Sequence, residues 1–267
     1  MKFSILSGVC SAALLLTGSA QAALVANFDS AVVTPASPTS AANFAPQAGW
    51  TISDPALDLS FIQTGSAYGG TGQSIGLGGF YAVPAGTTVR LSRVVSESLA
   101  SSVFSVDLAL INRYAADANN FFNNDDRFGL VLFDAGGDLL NIDFSPTATE
   151  NIRQVSVNGT GLTPNGILAG DYNTPQWYTL AMTFTANGLN LDYSVSLAGG
   201  SITYNGSLAG KASTTLTGIG VDFDVLGATG ADAGSNYLLL DNISIPEPSV
   251  TLTGLLALGL LGARRRR

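Results

Sequence analysis

The sequence predicts an all-β body built as an antiparallel β-sandwich, and three observations carry that prediction. The 267 residues include 31 glycines, and only 11% are charged. Low charge with abundant Gly, Thr, Ser, Asn and Val suits sheets whose faces are polar but uncharged. Apolar and polar residues alternate with period two along several runs, and no run has a convincing helical period. Turn signals such as Asn-Gly and Gly-Gly separate those runs.

At the N-terminus, Lys2 gives a short positive segment, and an apolar run ends in Ala12-Ala13-Leu14-Leu15-Leu16. Ala20-Gln21-Ala22 is a small-x-small site, so residues 1–22 read as a secretory signal and the mature chain is expected to begin at Ala23. The secretory translocon and signal peptidase are the partners this implies. Cys10 precedes the end of the apolar core, which argues against lipidation.

The body, 23–245, opens on an expected strand from Leu24 to Phe28. Thr34 to Pro46, rich in proline and small residues, reads as a long loop. "YGGTGQSIGLGG", Tyr68 to Gly79, lacks the Gly-Lys-Ser/Thr ending of a phosphate loop and also reads as a loop. Phe104, Val106, Leu108 and Leu110 alternate in one strand. Phe128–Asp134 and Leu139–Phe144 flank Gly136-Gly137 as a hairpin.

"WYTLAMTFTANGLNLDYSVSL", Trp177 to Leu197, is the clearest hairpin. A two-residue turn at Asn187-Gly188 places Phe184 opposite Leu191, Met182 opposite Tyr193, Leu180 opposite Val195 and Tyr178 opposite Leu197. Thr217, Ile219, Val221, Phe223 and Val225 form one strand face, with Asp222 and Asp224 on the other. Tyr237 to Ile245 is the last strand.

Absences bound the chemistry. The chain has no histidine, and its one cysteine falls in the signal. Disulfides, Cys/His zinc sites, a cysteine nucleophile and a Ser-His-Asp triad are therefore excluded from the mature chain. Of 11 basic and 19 acidic residues, Lys2, the four terminal arginines and Glu247 lie outside the body. The body keeps 6 basic and 18 acidic residues, a net charge of −12. Such a surface repels nucleic acid and anionic lipid, so no nucleic-acid partner is expected.

Two groups of residues suggest binding. "DANNFFNNDDRFG" gathers the oxygen ligands Asp117, Asn119, Asn123, Asp125 and Asp126, and calcium takes six to eight oxygens from a flexible loop. The competing reading is a polar loop whose Asn and Asp residues make turns. Calcium is the one ion considered, and no other cofactor is expected. Trp177, Tyr114, Phe121 and Phe122 do not fit the core alternation and are candidates to stack on a sugar ring. Trp50 is ambiguous. Asp222 and Asp224 share a strand face without an evident partner across a cleft, which favours a solvated face over a catalytic pair.

After Ile245 the chain reads Pro246-Glu247-Pro248-Ser249. Two prolines so close together forbid strand pairing and keep the chain extended. Val250 to Ala263 carries no charge, and at 14 residues it is short of the roughly 20 of a comfortable membrane helix. Arg264, Arg265, Arg266 and Arg267 close it as a positive stop that stays cytoplasmic. In this order and at the extreme C-terminus, 246–267 resembles the PEP-CTERM protein-sorting signal.

That resemblance implies export across the inner membrane of a Gram-negative-type bacterium and a transient membrane anchor. Processing by exosortase and release to the cell surface or extracellular matrix would follow. It also implies association with exopolysaccharide. The strand pattern, the Asn-Gly hairpin and "LLLDNISIPEPS" resemble a concanavalin-like jelly roll. Together these imply a non-enzymatic β-sandwich that binds or scaffolds polysaccharide. The alternative is a polysaccharide hydrolase or lyase on the same fold, for which no Glu-x-Asp-x-x-Glu run is present.

Overall fold

The computed structural model describes residues 22–26, 49–53, 60–64, 73–78, 86–112, 126–146, 152–168, 170, 175–197, 202–225 and 236–246. Ala22–Glu247 forms one unit, and the other, Met1–Gln21 with Pro248–Arg267, lies outside the described residues. Apart from Ala22, the expected signal segment lies outside them, as do the long loop from Thr34 and the apolar tail. Among the described residues no helix is long and apolar enough to cross a membrane.

In chain order the strands are β1 (Ala22–Ala26), β2 (Trp50–Ile52), β3 (Ser60–Thr64), β4 (Gln73–Gly78), β5 (Thr88–Ser98), β6 (Val103–Asn112), β7 (Asp126–Asp134), β8 (Gly137–Pro146), β9 (Ile152–Val157), β10 (Thr160–Leu168), β11 (Trp177–Asn187), β12 (Asn190–Leu197), β13 (Ile202–Leu208), β14 (Thr215–Val225) and β15 (Asn236–Pro246). The first sheet runs β13-β12-β11-β6-β15-β4-β3, with β1 also paired to β15. The second runs β10-β9-β8-β7-β14-β5-β2. Every ladder between named strands is antiparallel.

The alternating residues meet in one buried cluster between the sheets. Phe104, Val106, Leu108 and Leu110 of β6 join Leu180, Met182 and Phe184 of β11 from the first sheet. Phe128, Leu130 and Leu132 of β7 join Ile219, Val221 and Phe223 of β14 from the second. Each such side chain stabilises the fold by about 1.5–3 kcal/mol, which does the work that disulfides do in smaller exported domains. Trp50 is fully buried in the same cluster and is a core residue. Arg153 of β9 is also buried and donates from Nη1 to the Asp126 carbonyl oxygen at 2.8 Å. Burial lowers its pKa to about 10, and the Asp126 charge opposes that shift.

Several expectations are corrected by the ladder. The hairpin register is two residues away from the expected one: Phe184 faces Tyr193, Met182 faces Val195 and Leu180 faces Leu197. Asn187 pairs with Asn190, so the turn residues are Gly188 and Leu189. The reason is backbone conformation. Gly188 sits at φ +61°, the left-handed region that the first turn position of a type II′ hairpin requires. Leu189 is then exposed at the tip instead of joining the core. Because the shift is an even number of residues, the buried faces are unchanged.

The other hairpin turns at Ala135-Gly136, since Asp134 pairs with Gly137. Half of the glycine-rich "YGGTGQSIGLGG" is strand β4, with Ile75 and Leu77 in the core. A register shift between Leu216 and Gly218 puts Leu216, not Thr217, into the core. The first strand is Ala22–Ala26, two residues earlier than expected, and its Ala22 pairs with Pro246, so the last strand runs one residue into the segment whose prolines were expected to forbid pairing.

Candidate functional site

The outward face of the second sheet is built around missing side chains. Along β14, Ile219, Val221 and Phe223 point into the core, so Gly218 and Gly220 fall on the other face. The neighbouring strands fill that gap from both sides. The Phe133 ring, from β7, lies across Gly218: a Cβ there would meet its Cε2 and Cζ at 2.1 Å. The same ring reaches Gly220, whose Cβ would lie 3.5 Å from Cε1. From β5, the Arg90 stem approaches the Gly220 position at 3.3 Å through Cδ. Ring and stem thus share one glycine floor. Val94, the cross-strand partner of Gly218, stands beside them 82% exposed.

Carboxylates hold this platform in place. Arg90 donates to Asp222 from Nε at 2.6 Å and from Nη2 at 2.8 Å. It also donates to Asp138 from Nη1 at 2.9 Å and from Nη2 at 3.0 Å. Its hydrogen bonds to both carboxylates, Asp222 first, keep the guanidinium protonated well above the ordinary arginine value. Arg127 holds Asp224 through Nε at 2.9 Å and Nη2 at 2.6 Å. Asp222 and Asp224 do share the outward face, but each is locked by an arginine from a neighbouring strand instead of standing in solvent.

Asp143 completes the row, since Gly129 pairs with it on one side and with Asp222 on the other. Desolvation raises the Asp143 carboxyl above the usual range; Asp224 and Asp222 add to that shift and Arg127 opposes it. A partly buried aromatic ring with carboxylates and arginine at its rim can hold a sugar. Its face meets the apolar C–H face of the sugar, and the rim groups meet the hydroxyls.

The outward face of the first sheet carries Trp177. It packs on a small buried group of Ala109, Ile111, Tyr237 and Leu239, off the main core as expected. Two residues along, Asp107 and Asp241 are cross-strand partners, and both are buried. Asp107 accepts from Thr179 Oγ1 at 2.6 Å and from Asn242 Nδ2 at 3.0 Å. Asn242, at φ +47°, sits where the β15 ladder shifts register and donates its own N–H to Asp241 Oδ1 at 2.8 Å. Among the described residues, no group of three or more His, Cys, Asp or Glu side chains is placed to hold a metal.

Farther toward the sheet edge lies an open depression of about 490 Å³, lined by Thr183, Thr185, Asp192, Ser194, Asn205 and Ser207 among others. Ser207 and Asn187 donate to Asp192 and hold its carboxyl below the usual range.

Of the residues singled out from the sequence, Tyr114, Phe121, Phe122, Asp117, Asn119, Asn123 and Asp125 lie outside the described residues. Asp126 is described, fully buried at the head of β7 near Arg153. Phe133 was missed, although it is out of phase with Phe128, Leu130 and Leu132. That phase difference, read together with Gly218 and Gly220, was the available signal.

Comparison with known proteins bears on the end of the chain. Residues 244–267 match the PEP-CTERM protein-sorting motif. The motif implies export, membrane-anchored transit and processing by exosortase before surface display. No curated protein matches the chain by sequence. Among solved structures, the chain is similar to an alginate lyase from Pseudomonas aeruginosa, with TM-score 0.43 and 11% identity over 66% of this chain and 83% of that one. It is also similar to a seed lectin from Lotus tetragonolobus, with TM-score 0.40 and 8% identity over 70% and 92% of the two chains. A β-glucanase from Bacillus licheniformis gives TM-score 0.38 and 11% identity over 66% and 78%.

Proposed function

We propose that this is an exosortase-sorted surface protein whose sandwich binds extracellular polysaccharide without turning it over, using the Val94–Phe133–Arg90 platform as its contact. The observation that carries the reading is the Phe133 ring laid over Gly218 and Gly220 on an outward sheet face, beside a doubly forked arginine. A ring used only to cover strand glycines would need no such rim. The depression near Asp192 offers hydroxyls and amides but no exposed ring. Trp177 is the second candidate contact, on the other sheet.

Affinity electrophoresis of the mature protein through gels cast with different polysaccharides, the producer's own included, tests the reading. Phe133→Ala should weaken retardation about tenfold, equivalent to about 1.4 kcal/mol, while costing the fold about 1 kcal/mol. Gly218→Ala, whose methyl displaces the ring, should copy it. No retardation by any polysaccharide leaves a scaffold role alone.

A hydrolase is the second reading, favoured by Asp143, Asp222 and Asp224 gathering on one face. Two of those three are neutralised by arginine, which suits binding better than proton transfer. Release of reducing ends from the same panel would establish turnover.

A further inference from the structure

Four Asn-Gly steps occur in the sequence, and three of them, at Asn158, Asn187 and Asn205, have described side chains. Asparagine is thermolabile, most of all before glycine. With no Cβ beside it, the glycine nitrogen can close on the asparagine Cγ. Ring closure also needs the chain to turn about the asparagine Cα–C bond, and the surrounding structure decides whether it can.

Asn205 is held within β13: it pairs with Ser194, and Gly206 pairs with Tyr193. The Tyr193 ring lies against Gly206, where a Cβ would collide with it. Asn158 is held by two bonds to one residue. Its N–H donates to the Asn141 carbonyl oxygen at 2.8 Å, and its Oδ1 accepts from the Asn141 N–H at 2.9 Å. Both bonds fix it toward β8 instead of toward the Gly159 nitrogen. Asn187 differs. It is exposed at the end of its ladder, where Gly188 and Leu189 make the turn. Among the described residues, the Gly188 N–H has no hydrogen-bond partner. The Asn187 side chain is tied by one bond at the surface, from Nδ2 to Asp192 Oδ2 at 2.7 Å.

We propose that Asn187 is a site of spontaneous covalent modification, losing its amide ahead of Asn158 and Asn205. The Gly188 nitrogen gives up its proton and bonds to Asn187 Cγ. The Cγ–Nδ2 bond breaks, and Nδ2 takes up a proton and leaves as ammonia. Water then adds to either carbonyl carbon of the succinimide ring, and the ring C–N bond at that carbon breaks. The product is aspartate or isoaspartate. A carboxylate thereby replaces the donor that faces Asp192. Isoaspartate also adds a methylene to the main chain at the last ladder pair, Asn187 with Asn190. Leu189 accepts from the Ala212 N–H at 3.1 Å, so the change reaches the β13–β14 turn as well. The hairpin tip loosens with age.

Peptide mapping of the mature protein, aged in mildly alkaline buffer, tests this. The Asn187 peptide should convert to a mixture of aspartate and isoaspartate forms. Asn158 and Asn205 should convert about tenfold more slowly, the factor that about 1.4 kcal/mol of extra local opening supplies. Conversion of either at the rate of Asn187 overturns the proposal, as does an Asn187 that stays intact or yields aspartate alone. Two variants read the consequence. Asn187→Asp should have a lower urea midpoint at neutral pH than Asn187→Gln, which keeps an amide there. The gap should close in acid, where both carboxylates are neutral. Equal midpoints at neutral pH would overturn the loosening of the tip.

Discussion

Asp143 and its neighbours show how one sheet face assigns different states to chemically identical groups. Asp222 and Asp224 each face an arginine, while Asp143 is half-buried with Arg127 as its one cationic neighbour of note among the described residues. Its folded pKa is raised above the unfolded value, chiefly by desolvation. The folded state therefore binds the proton more tightly, and the stability this contributes is lost as pH rises through the folded pKa. Asp143→Asn should thus raise the denaturation midpoint near about pH 7 and leave it unchanged near about pH 3, where the carboxyl is already neutral. Urea melts at the two pH values would check it. A variant less stable than wild type at the higher pH would mean that the Arg127 attraction outweighs burial.

The β11–β12 hairpin joins local turn chemistry to the core. Phe184 is buried and Thr183, its neighbour, is exposed. Phe184→Asp should cost about 3–5 kcal/mol for the lost ring alone, with a further penalty for an unpaired buried carboxylate. Thr183→Asp should stay within about 0.5 kcal/mol. Similar losses in denaturant melts would mean that the faces are misassigned. The turn makes its own prediction. Gly188→Ala places a side chain at φ +61° and should cost roughly 1–2 kcal/mol. Leu189→Ala, at an exposed tip outside the core, should cost almost nothing.

Over the whole molecule, charge decides what kind of polymer can approach. The body carries a net charge of −12 from 6 basic and 18 acidic residues. Arg90, Arg127 and Lys211 are each engaged by aspartates, and Arg153 is buried. A polyanion would meet repulsion with few free cations to offset it. Binding should therefore favour uncharged polysaccharide and be nearly indifferent to added salt, which screens charge within about 3 Å at 1 M. Affinity electrophoresis at low and high salt measures this. Tight binding of a polyuronate that salt abolishes, without any divalent cation, would contradict it.

The sequence by itself determined the two-sheet antiparallel class, the faces of the major strands and the sorting motif at the C-terminus. These are local properties: alternation of period two names a buried face whatever the partner, and the sorting motif is read as a linear string. The hairpin register was only partly legible. Asn187-Gly188 marks a turn, but whether Gly188 takes its first or second central position depends on backbone conformation.

The candidate site needed the tertiary structure. Phe133, Gly218, Gly220 and Arg90 belong to three strands far apart in sequence, and each has an ordinary strand role when read alone. The β5–β14–β7 ladder order makes them neighbours. In the same way, only the pairing of β1 with β15 sets Ala22 beside Pro246. Long-range pairing brings distant residues to one place, and the strand that carries either residue holds no record of its partner.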